Sequence, residues 1–396
     1  MLTHEENEQL TKVGPGTPAG ELLRRYWHPI SVSLEITDEH PTKFVRILGE
    51  DLVIFRDKSG RLGLLADHCS HRGASLVYGR VEERGISCAY HGWLYDCEGN
   101  ILETPPERND AIMRSVKHTA YPVKEYLNLV WAYMGPTPVP PMTRFDTLFR
   151  PDGHRTIRVH PVLDCNWFQA MENSMDPAHL QILHQEFVGG DRKPVSTTRG
   201  YTDDVESFEF SLTDYGLMKK RTYKNGVVDE HPVCFPSILR QGPSTQFRTP
   251  IDDEHTLHFH VNFRLTEDGS SPDDAFDPPV EYMDAYKEPA DRLYPNTRFT
   301  LHAVIPQDHM AWETQGPVAN RPGEHLSYSD RGVVLLRRVM KEQIERVAQG
   351  LDPLGVQRDP DHEMINTNID EDFWQRGGRG SVNEGKAMSK KAGTKS

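Results

Sequence analysis

The sequence predicts an α+β protein with two folded parts of different character. Residues 44–66 contain short β-branched and aromatic runs separated by turn signals, a pattern typical of strands. Residues 166–187 have the composition of helices, and residues 205–265 alternate between apolar and polar side chains as a sheet does. At 396 residues the chain is long enough for two or more domains with substantial cores.

The first part is rich in strands and ends at a proline-rich break. The run YLNLVWAYMG at residues 126–135 predicts a buried closing strand, and PTPVPPM at residues 136–142 follows it as a stiff boundary. We therefore expect a first domain at residues 41–140 and a second domain at residues 141–370. An N-terminal segment at residues 1–40 is expected to pack on the second domain, and residues 371–396 are expected to form a mobile tail.

Helices are predicted at two places in the second part. Asp176 and Pro177 suit the N-cap and first position of a helical segment within residues 166–187. The clearest helix is predicted at residues 331–349, where one apolar stripe ends before Gly350. Its members are Val333, Leu336, Met340, Ile344 and Val347.

Charge and composition exclude several classes of protein. The formal net charge of −14 argues against a nucleic-acid binder. No apolar run reaches the length of a transmembrane helix, and the polar, acidic N-terminus is unlike a signal peptide. Five dispersed cysteines, an odd number, indicate no disulfide framework, so we expect a reducing, cytoplasmic location.

Two mixed pairs of cysteine and histidine indicate a metal centre. Cys69 and His71 form the first pair, and Cys88 and His91 form the second. A structural zinc site is one interpretation, because four such ligands suit tetrahedral zinc. Zinc fingers usually separate their cysteines from their histidines, however, whereas each pair here contributes one of each. That pattern favours a two-iron centre with both cysteines on one iron and both histidines on the other.

The spacing and flanks of these pairs resemble a known family. The first pair has the pattern Cys-x-His, the second has Cys-x-x-His, and sixteen residues separate them. With HRG and YHGW as flanks, this arrangement is similar to the Rieske [2Fe–2S] domain of ring-hydroxylating oxygenases. Respiratory Rieske proteins carry two further cysteines, where this chain has Ala74 and Tyr90. The resemblance is therefore to the oxygenase type. Cys97 lies outside the motif and is expected to be an ordinary thiol.

A second candidate centre lies at His179 and His184. Their spacing of five places them about 140° apart on a regular helix, so both reach one ion only if the helix ends or bulges between them. From spacing alone, the two histidines could equally well be unrelated residues that bind no metal. Asp-x-x-His followed by a second histidine, however, resembles the ferrous-iron motif of the same oxygenases, which leave iron open positions for O₂.

The resemblance also implies a downstream carboxylate ligand and an acidic bridge. The family's acidic pair is matched by Asp308 and Glu313, and we expect Asp308 to be the ligand, with Glu313, Glu324 and Asp330 as alternatives. Asp176 matches the residue that, in the family, links an iron histidine to a Rieske histidine of the next subunit. Here that would join His179 of one chain to His91 of another. Support for the iron ligands is expected from Glu172 and Asn173, for which a structural role is equally open.

Over most of its length the chain resembles the catalytic subunit of such an oxygenase, near phthalate dioxygenase and the aryl-ether O-demethylases. The resemblance implies a helix-grip catalytic domain, a Rieske cluster, mononuclear Fe(II) and a head-to-tail homotrimer. It also implies a separate flavin and iron–sulfur reductase, with or without a ferredoxin, which supplies electrons from NAD(P)H. No dinucleotide-binding or plant-type ferredoxin motif is present in this chain.

The expected reaction is dihydroxylation of an aromatic, carboxylated substrate with O₂, and O-demethylation of a methoxylated aromatic acid is the alternative. Arg240 and Arg248 lie in strand-like segments and are candidate partners for a substrate carboxylate. A non-catalytic electron carrier is a further alternative, against which the His179, His184 and Asp308 set argues. A zinc hydrolase is disfavoured, because its His-Glu-x-x-His motif is missing.

Overall fold

The computed structural model describes residues 2–184, 205–224, 226, 228–286 and 303–369. Two short helices, α1 (His4–Thr11) and α2 (Pro18–Leu23), open the chain. Thr3 and Glu6 form a capping box at the start of α1, and the Thr17 side chain caps α2. The predicted tail at residues 371–396 lies outside the described residues.

Three small antiparallel sheets form the first domain. Their strand orders are β2-β3-β4, β5-β6-β7-β8 and β1-β10-β9. The predicted closing strand is confirmed as β10, which is buried along its whole length. The strands, with one short helix α3 (Ala111–Ser115), are β1 (Trp27–Val32), β2 (Thr42–Ile47), β3 (Glu50–Arg56), β4 (Leu62–Ala66), β5 (Arg80–Glu82), β6 (Gly85–Ser87), β7 (Leu94–Tyr95), β8 (Ile101–Glu103), β9 (Val123–Tyr126) and β10 (Leu129–Tyr133).

The second domain is built on one eight-stranded sheet. Its order is β12-β13-β14-β15-β16-β17-β11-β18, antiparallel except for the pair of β11 and β18. The alternation at residues 205–265 is thus confirmed as sheet. The strands are β11 (Gly153–Val159), β12 (Val205–Thr213), β13 (Gly216–Tyr223), β14 (Val228–Cys234), β15 (Ile238–Gln241), β16 (Ser244–Pro250), β17 (Thr256–Leu265) and β18 (Val280–Tyr282).

Helices cover one face of this sheet. The helix α5 lies across β14, β15 and β16 and also contacts α7 and α8, which gives the predicted helix-flanked antiparallel sheet. The described helices here are α4 (Asp146–Phe149), α5 (Trp167–Met175), α6 (Ala178–Ile182), α7 (Val304–Glu313) and α8 (Arg331–Ala348). None of the described helices combines the length and apolar character needed to cross a membrane.

One hydrophobic core joins the two domains. It includes Ile47 and Leu52 of the first domain, Met171 and Met175 of α5, and the predicted stripe of α8 at Leu336. Burial of such side chains stabilises the fold by about 1.5–3 kcal/mol each. The helices α1 and α2 contact α8, whereas β1 pairs with β10 in a sheet of the first domain.

Candidate metal centres and substrate cavity

The two Cys–His pairs lie on loops with the same turn geometry. The amide of Gly73 donates to the carbonyl of Cys69 over 2.8 Å, and the amide of Gly92 donates to the carbonyl of Cys88 over 2.9 Å. Both glycines have left-handed backbone, with φ of +74° and +76°. A side chain would strain that conformation, so the sequence requires glycine at both places.

The side chains of these loops fit a Rieske cluster. Cys69 and Cys88 are buried free thiols, and the rings of His71 and His91 lie 4.5 Å apart between centroids. The Nδ1 atom of His71 is buried without a hydrogen-bond partner. A buried imidazole nitrogen normally has a partner, so this orphaned atom and the two thiols suit a bound metal centre.

Two aromatic residues support the predicted cluster ligands. The indole of Trp93 stacks on His71 at 4.7 Å between ring centroids, which restrains the imidazole. The hydroxyl of Tyr95 lies 3.0 Å from the sulfur of Cys69. Burial, together with this thiol, raises the pKa of Tyr95, so the phenol stays protonated and can donate to a thiolate. Hydrogen bonds to sulfur ligands help to set the potential of iron–sulfur clusters.

The second centre brings His179, His184 and Asp308 together. The Oδ1 atom of Asp308 lies 3.2 Å from Nε2 of His184 and 3.7 Å from Nε2 of His179. One ligand atom from each residue lies within 4.8 Å of the others. The Nε2 atom of His184 and the Oδ1 atom of Asp308 are buried and lack hydrogen-bond partners. Two imidazoles and one carboxylate in this arrangement suit non-haem Fe(II).

The end of α6 explains how histidines five residues apart can converge. His179 lies within α6, which ends at Ile182, and His184 follows that end. His184 therefore lies just beyond the end of the helix, although the backbone of Leu183 is still helical. The spacing required the helix to end or to bulge between the two histidines, and the helix ends there.

Neighbouring side chains orient both imidazoles. The Nδ1 atom of His184 lies 2.8 Å from Oε1 of Gln307, to which it donates, so its Nε2 carries the free electron pair. The Oδ2 atom of Asp176 lies 3.4 Å from Nδ1 of His179. The other oxygen of Asp176 accepts a hydrogen bond from the amide of Ala178 over 2.7 Å. The predicted N-cap is off by one residue, because Pro177 is the N-cap of α6 and Asp176 is the C-cap of α5. Asp176 nonetheless faces an iron-site histidine.

The charges within the triad reinforce one another. Burial alone would raise the pKa of Asp308, but the nearby imidazoles of His184 and His179 outweigh it and lower that pKa. Burial alone would lower the pKa of His184, but Asp308 raises it. The carboxylate is therefore held ionised, as a metal ligand must be.

The alternative carboxylates are engaged elsewhere. Glu313 accepts hydrogen bonds from the amide of Asp164 and the hydroxyl of Tyr286. Glu324 pairs with Arg337 at 2.7 Å, and Asp330 accepts from the amide of Ser327. Glu172, expected near the iron ligands, instead pairs with Arg321 and Arg337 and joins α5 to α8. Of the four candidate acids, Asp308 is the one that meets the histidines.

A cavity lies beside the triad, with about 310 Å³ of unfilled space that includes open solvent. His179 and Asp308 line it from the helices, and Lys219, Gln246 and Arg248 line it from the sheet. A larger cavity of about 430 Å³ lies between Trp27, Trp131 and Phe247. Neither candidate metal centre contributes a ligand to the larger cavity, so the smaller one is the candidate substrate site.

Arg248 is held in place within the wall of the substrate cavity. Its guanidinium donates to Oγ of Ser174 over 2.6 Å and to Oε1 of Gln246 over 2.7 Å, and it lies over the ring of Trp312. Its Nε is buried without a partner. Because these contacts fix the group and leave donor capacity, Arg248 can bind an anion.

The structure does not bring Arg240, the other candidate arginine, to the cavity. Its guanidinium donates to the carbonyls of Gly242 and Thr367 and to the hydroxyl of Thr367. Those contacts tie β15 to the segment that follows α8. The expectation that Arg240 binds substrate is therefore corrected, because its strand register points it at backbone carbonyls instead.

Sequence reasoning missed Lys219 and a group of buried histidines. Lys219 belongs to the charged run KKR at residues 219–221. Only the alternation of side chains along β13 shows that Lys219 is buried and that Lys220 is not. The histidines are joined by hydrogen bonds from His258 to His260 and to His309, of 2.9 and 2.8 Å. Burial lowers the pKa of nearby His160 to about 4, so that imidazole stays neutral.

Comparisons with known proteins decide the family. Residues 26–126 match the family model described as a Rieske [2Fe–2S] domain, and residues 291–367 match one described as LigXa C-terminal domain like. The chain is 36% identical over 374 residues to the 5,5'-dehydrodivanillate O-demethylase oxygenase subunit of Sphingobium sp. (strain NBRC 103272 / SYK-6), covering 91% of this chain and 84% of that protein. This chain belongs to the Rieske non-haem iron oxygenases.

Further similarities agree with that family. The phthalate 4,5-dioxygenase oxygenase subunit of Pseudomonas putida is 32% identical, covering 90% of this chain and 89% of that protein. The fold is similar to the oxygenase in the reduced complex between oxygenase and ferredoxin in carbazole 1,9a-dioxygenase. That comparison has a TM-score of 0.61 and 18% identity and covers 88% of this chain and 98% of that chain.

Family membership settles the class of protein. The chain is a terminal oxygenase component that carries a Rieske [2Fe–2S] cluster and mononuclear iron and incorporates oxygen from O₂. A separate protein partner supplies its electrons, and its substrate is a small molecule. The zinc interpretation is wrong, and the non-catalytic carrier is not favoured.

Proposed function

We propose that this Rieske oxygenase dihydroxylates an aromatic carboxylic acid. The observation that carries the proposal is the buried guanidinium of Arg248 in the wall of the cavity beside His179 and Asp308. The phthalate and dehydrodivanillate of the two relatives named above are both aromatic carboxylates. Arginine binds a carboxylate through two parallel hydrogen bonds, so Arg248 would fix the ring's orientation.

In this proposal, each centre is held by the residues that the loops and helices assemble. Cys69 and Cys88 would bind one iron of the cluster, and His71 and His91 the other. The mononuclear Fe(II) would be held by His179, His184 and Asp308. When bound, the two centres supply electrons and the activation of O₂. We place them in a Rieske domain at residues 41–140 and a catalytic domain at residues 141–370.

The chain's own residues would prepare the substrate for this chemistry. Arg248, fixed by Ser174 and Gln246, would hold the carboxylate, and the ring would then lie towards His179 and Asp308. Gln307 keeps the Nε2 atom of His184 available for the metal. The burial of these groups keeps bulk water from the reacting ring and strengthens each electrostatic contact.

The assembly we propose is a homotrimer in which Asp176 links two chains. Asp176 already contacts His179 within its own chain, and its partly exposed side chain would accept a second hydrogen bond from His91 of the next chain. A flavin and iron–sulfur reductase, with or without a ferredoxin, would supply electrons from NAD(P)H. The free cysteines of the described chain suit a cytoplasmic location.

Labelled oxygen tests the proposed reaction. The oxygenase, a surrogate reductase and NADH would be incubated under ¹⁸O₂ with benzoate, phthalate isomers and methoxylated benzoates, and the products analysed by mass spectrometry. We expect a cis-dihydrodiol of an aromatic acid that contains two ¹⁸O atoms, and its yield should fall at least about tenfold in Arg248→Met. Formation of formaldehyde with one incorporated ¹⁸O atom would instead establish O-demethylation.

A further inference from the structure

Lys219 is a buried cation in the wall of the substrate cavity. It lies on β13, only 2% of its surface is exposed, and it lines the same cavity as His179, Asp308 and Arg248. Its neighbour Lys220 points to the other face of the strand, where it is partly exposed and lies 3.7 Å from Glu209. The alternation of the strand therefore selects one of two adjacent lysines for the cavity.

No side chain in the described part of the molecule pairs with the ammonium group of Lys219. It makes no hydrogen bond or salt bridge there, whereas Arg221, two residues along the same face, pairs with Asp229. Burying an unpaired cation costs several kcal/mol. Burial lowers the pKa of Lys219 to about 7, although Asp176, Asp229 and Asp308 oppose that effect from a distance. An anion bound beside this amine would favour its charged form.

Arg248 and Lys219 lie on different strands of the sheet. Two strands, β14 and β15, separate β13 from β16, so the backbones of the two residues lie about 14 Å apart at the usual strand spacing. The guanidinium of Arg248 is also held beside Gln246 of its own strand and Ser174 of α5. The two cations thus line one cavity from well-separated strands of the same sheet.

We propose that Lys219 binds a second acidic group of the substrate, so that the preferred substrates are aromatic diacids with carboxylates on opposite sides of the molecule. This inference rests on the proposed function, in which Arg248 binds the first carboxylate. Lys219 would then determine specificity for diacids over monoacids, and the neutralised pair would remove the cost of burying its charge.

Equilibrium binding to the holoenzyme without O₂ tests this inference. Terephthalate and benzoate would be titrated by calorimetry into wild type, Lys219→Met, Arg248→Met and the matched control Lys220→Met. We expect wild type to bind terephthalate about 10 to 100 times more tightly than benzoate, from the usual strength of one charge-assisted hydrogen bond. Lys219→Met should lose that preference and keep its affinity for benzoate, and Lys220→Met should behave as wild type.

The outcomes separate the inference from the proposed function. If wild type binds both probes with equal affinity, or if Lys219→Met retains the preference for terephthalate, the role of Lys219 is wrong and the function stands. If wild type binds neither probe, the aromatic acid itself is wrong, and the inference falls with it. The visible Rieske spectrum and the iron content report whether each variant is folded. The wild-type preference needs no variant, so the test holds even if Lys219→Met does not fold.

Discussion

Asp308→Ala should lower the iron content from about three per chain to about two and abolish turnover. The lost iron is the mononuclear one, because the variant removes the carboxylate oxygen that lies 3.2 Å from Nε2 of His184. The Rieske spectrum should persist, since the cluster loops lie in the other domain. Metal analysis by mass spectrometry, together with the visible spectrum, measures both effects.

Glu313→Ala is the matched control on the same helix. Its carboxylate accepts hydrogen bonds from the amide of Asp164 and the hydroxyl of Tyr286, so its loss should reduce stability by about 1–3 kcal/mol without removing iron. Retention of iron and activity in Asp308→Ala, with loss of both in Glu313→Ala, would show that Glu313 is the ligand. His184→Ala should reproduce the Asp308→Ala result.

Asp176→Asn should slow electron transfer between the two centres by about a hundredfold or more. The new side chain can still cap the amide of Ala178, as the carboxylate does over 2.7 Å. Its amide nitrogen would replace the oxygen that faces Nδ1 of His179, however, and would present a donor to a donor. Both centres and the oligomer should remain, and reduction of the Rieske cluster by the reductase should be normal. Single-turnover reoxidation of the cluster, with substrate and O₂, measures the transfer step.

Mixed oligomers test whether that transfer crosses between chains. A chain without the Rieske centre, Cys69→Ala, would be assembled with a chain without the mononuclear iron, His179→Ala. Partial activity is expected, because each defective chain retains the centre that its neighbour needs. Well-formed mixed rings with no activity would contradict transfer between chains, and the bridging role of Asp176 with it. Asp330→Asn, a change at a partly exposed acid that accepts from the amide of Ser327, should leave the transfer rate unchanged.

Local spacing predicted the cluster site, because both ligands of each pair lie within one loop. Cys69 and His71 need only a turn, and the glycines that permit such turns are visible in the sequence. The strands around them were equally local, as β-branched runs between turn signals. For the same reason the helix α8 and its stripe at Leu336 were predictable from residue spacing alone.

The rest of the site depends on contacts between distant segments. His184 and Asp308 are 124 residues apart, and spacing could not distinguish Asp308 from Glu313 on one helix. Strand register decided the other cases, because it turns Arg248 and Lys219 towards the cavity and ties Arg240 to the carbonyl of Thr367. A sequence shows that a strand alternates, but it does not show which face the helices cover.

The most direct test of the whole account is electron paramagnetic resonance of the wild-type protein. The dithionite-reduced sample should give the low average g value of a Rieske cluster. The same sample treated with nitric oxide should also give the signal of a nitrosyl adduct of mononuclear Fe(II), in about equal amount per chain. A Rieske signal without the nitrosyl signal, in protein shown by metal analysis to be fully loaded, would contradict the claim that one chain holds both centres. So would a sample that contains zinc and gives neither signal.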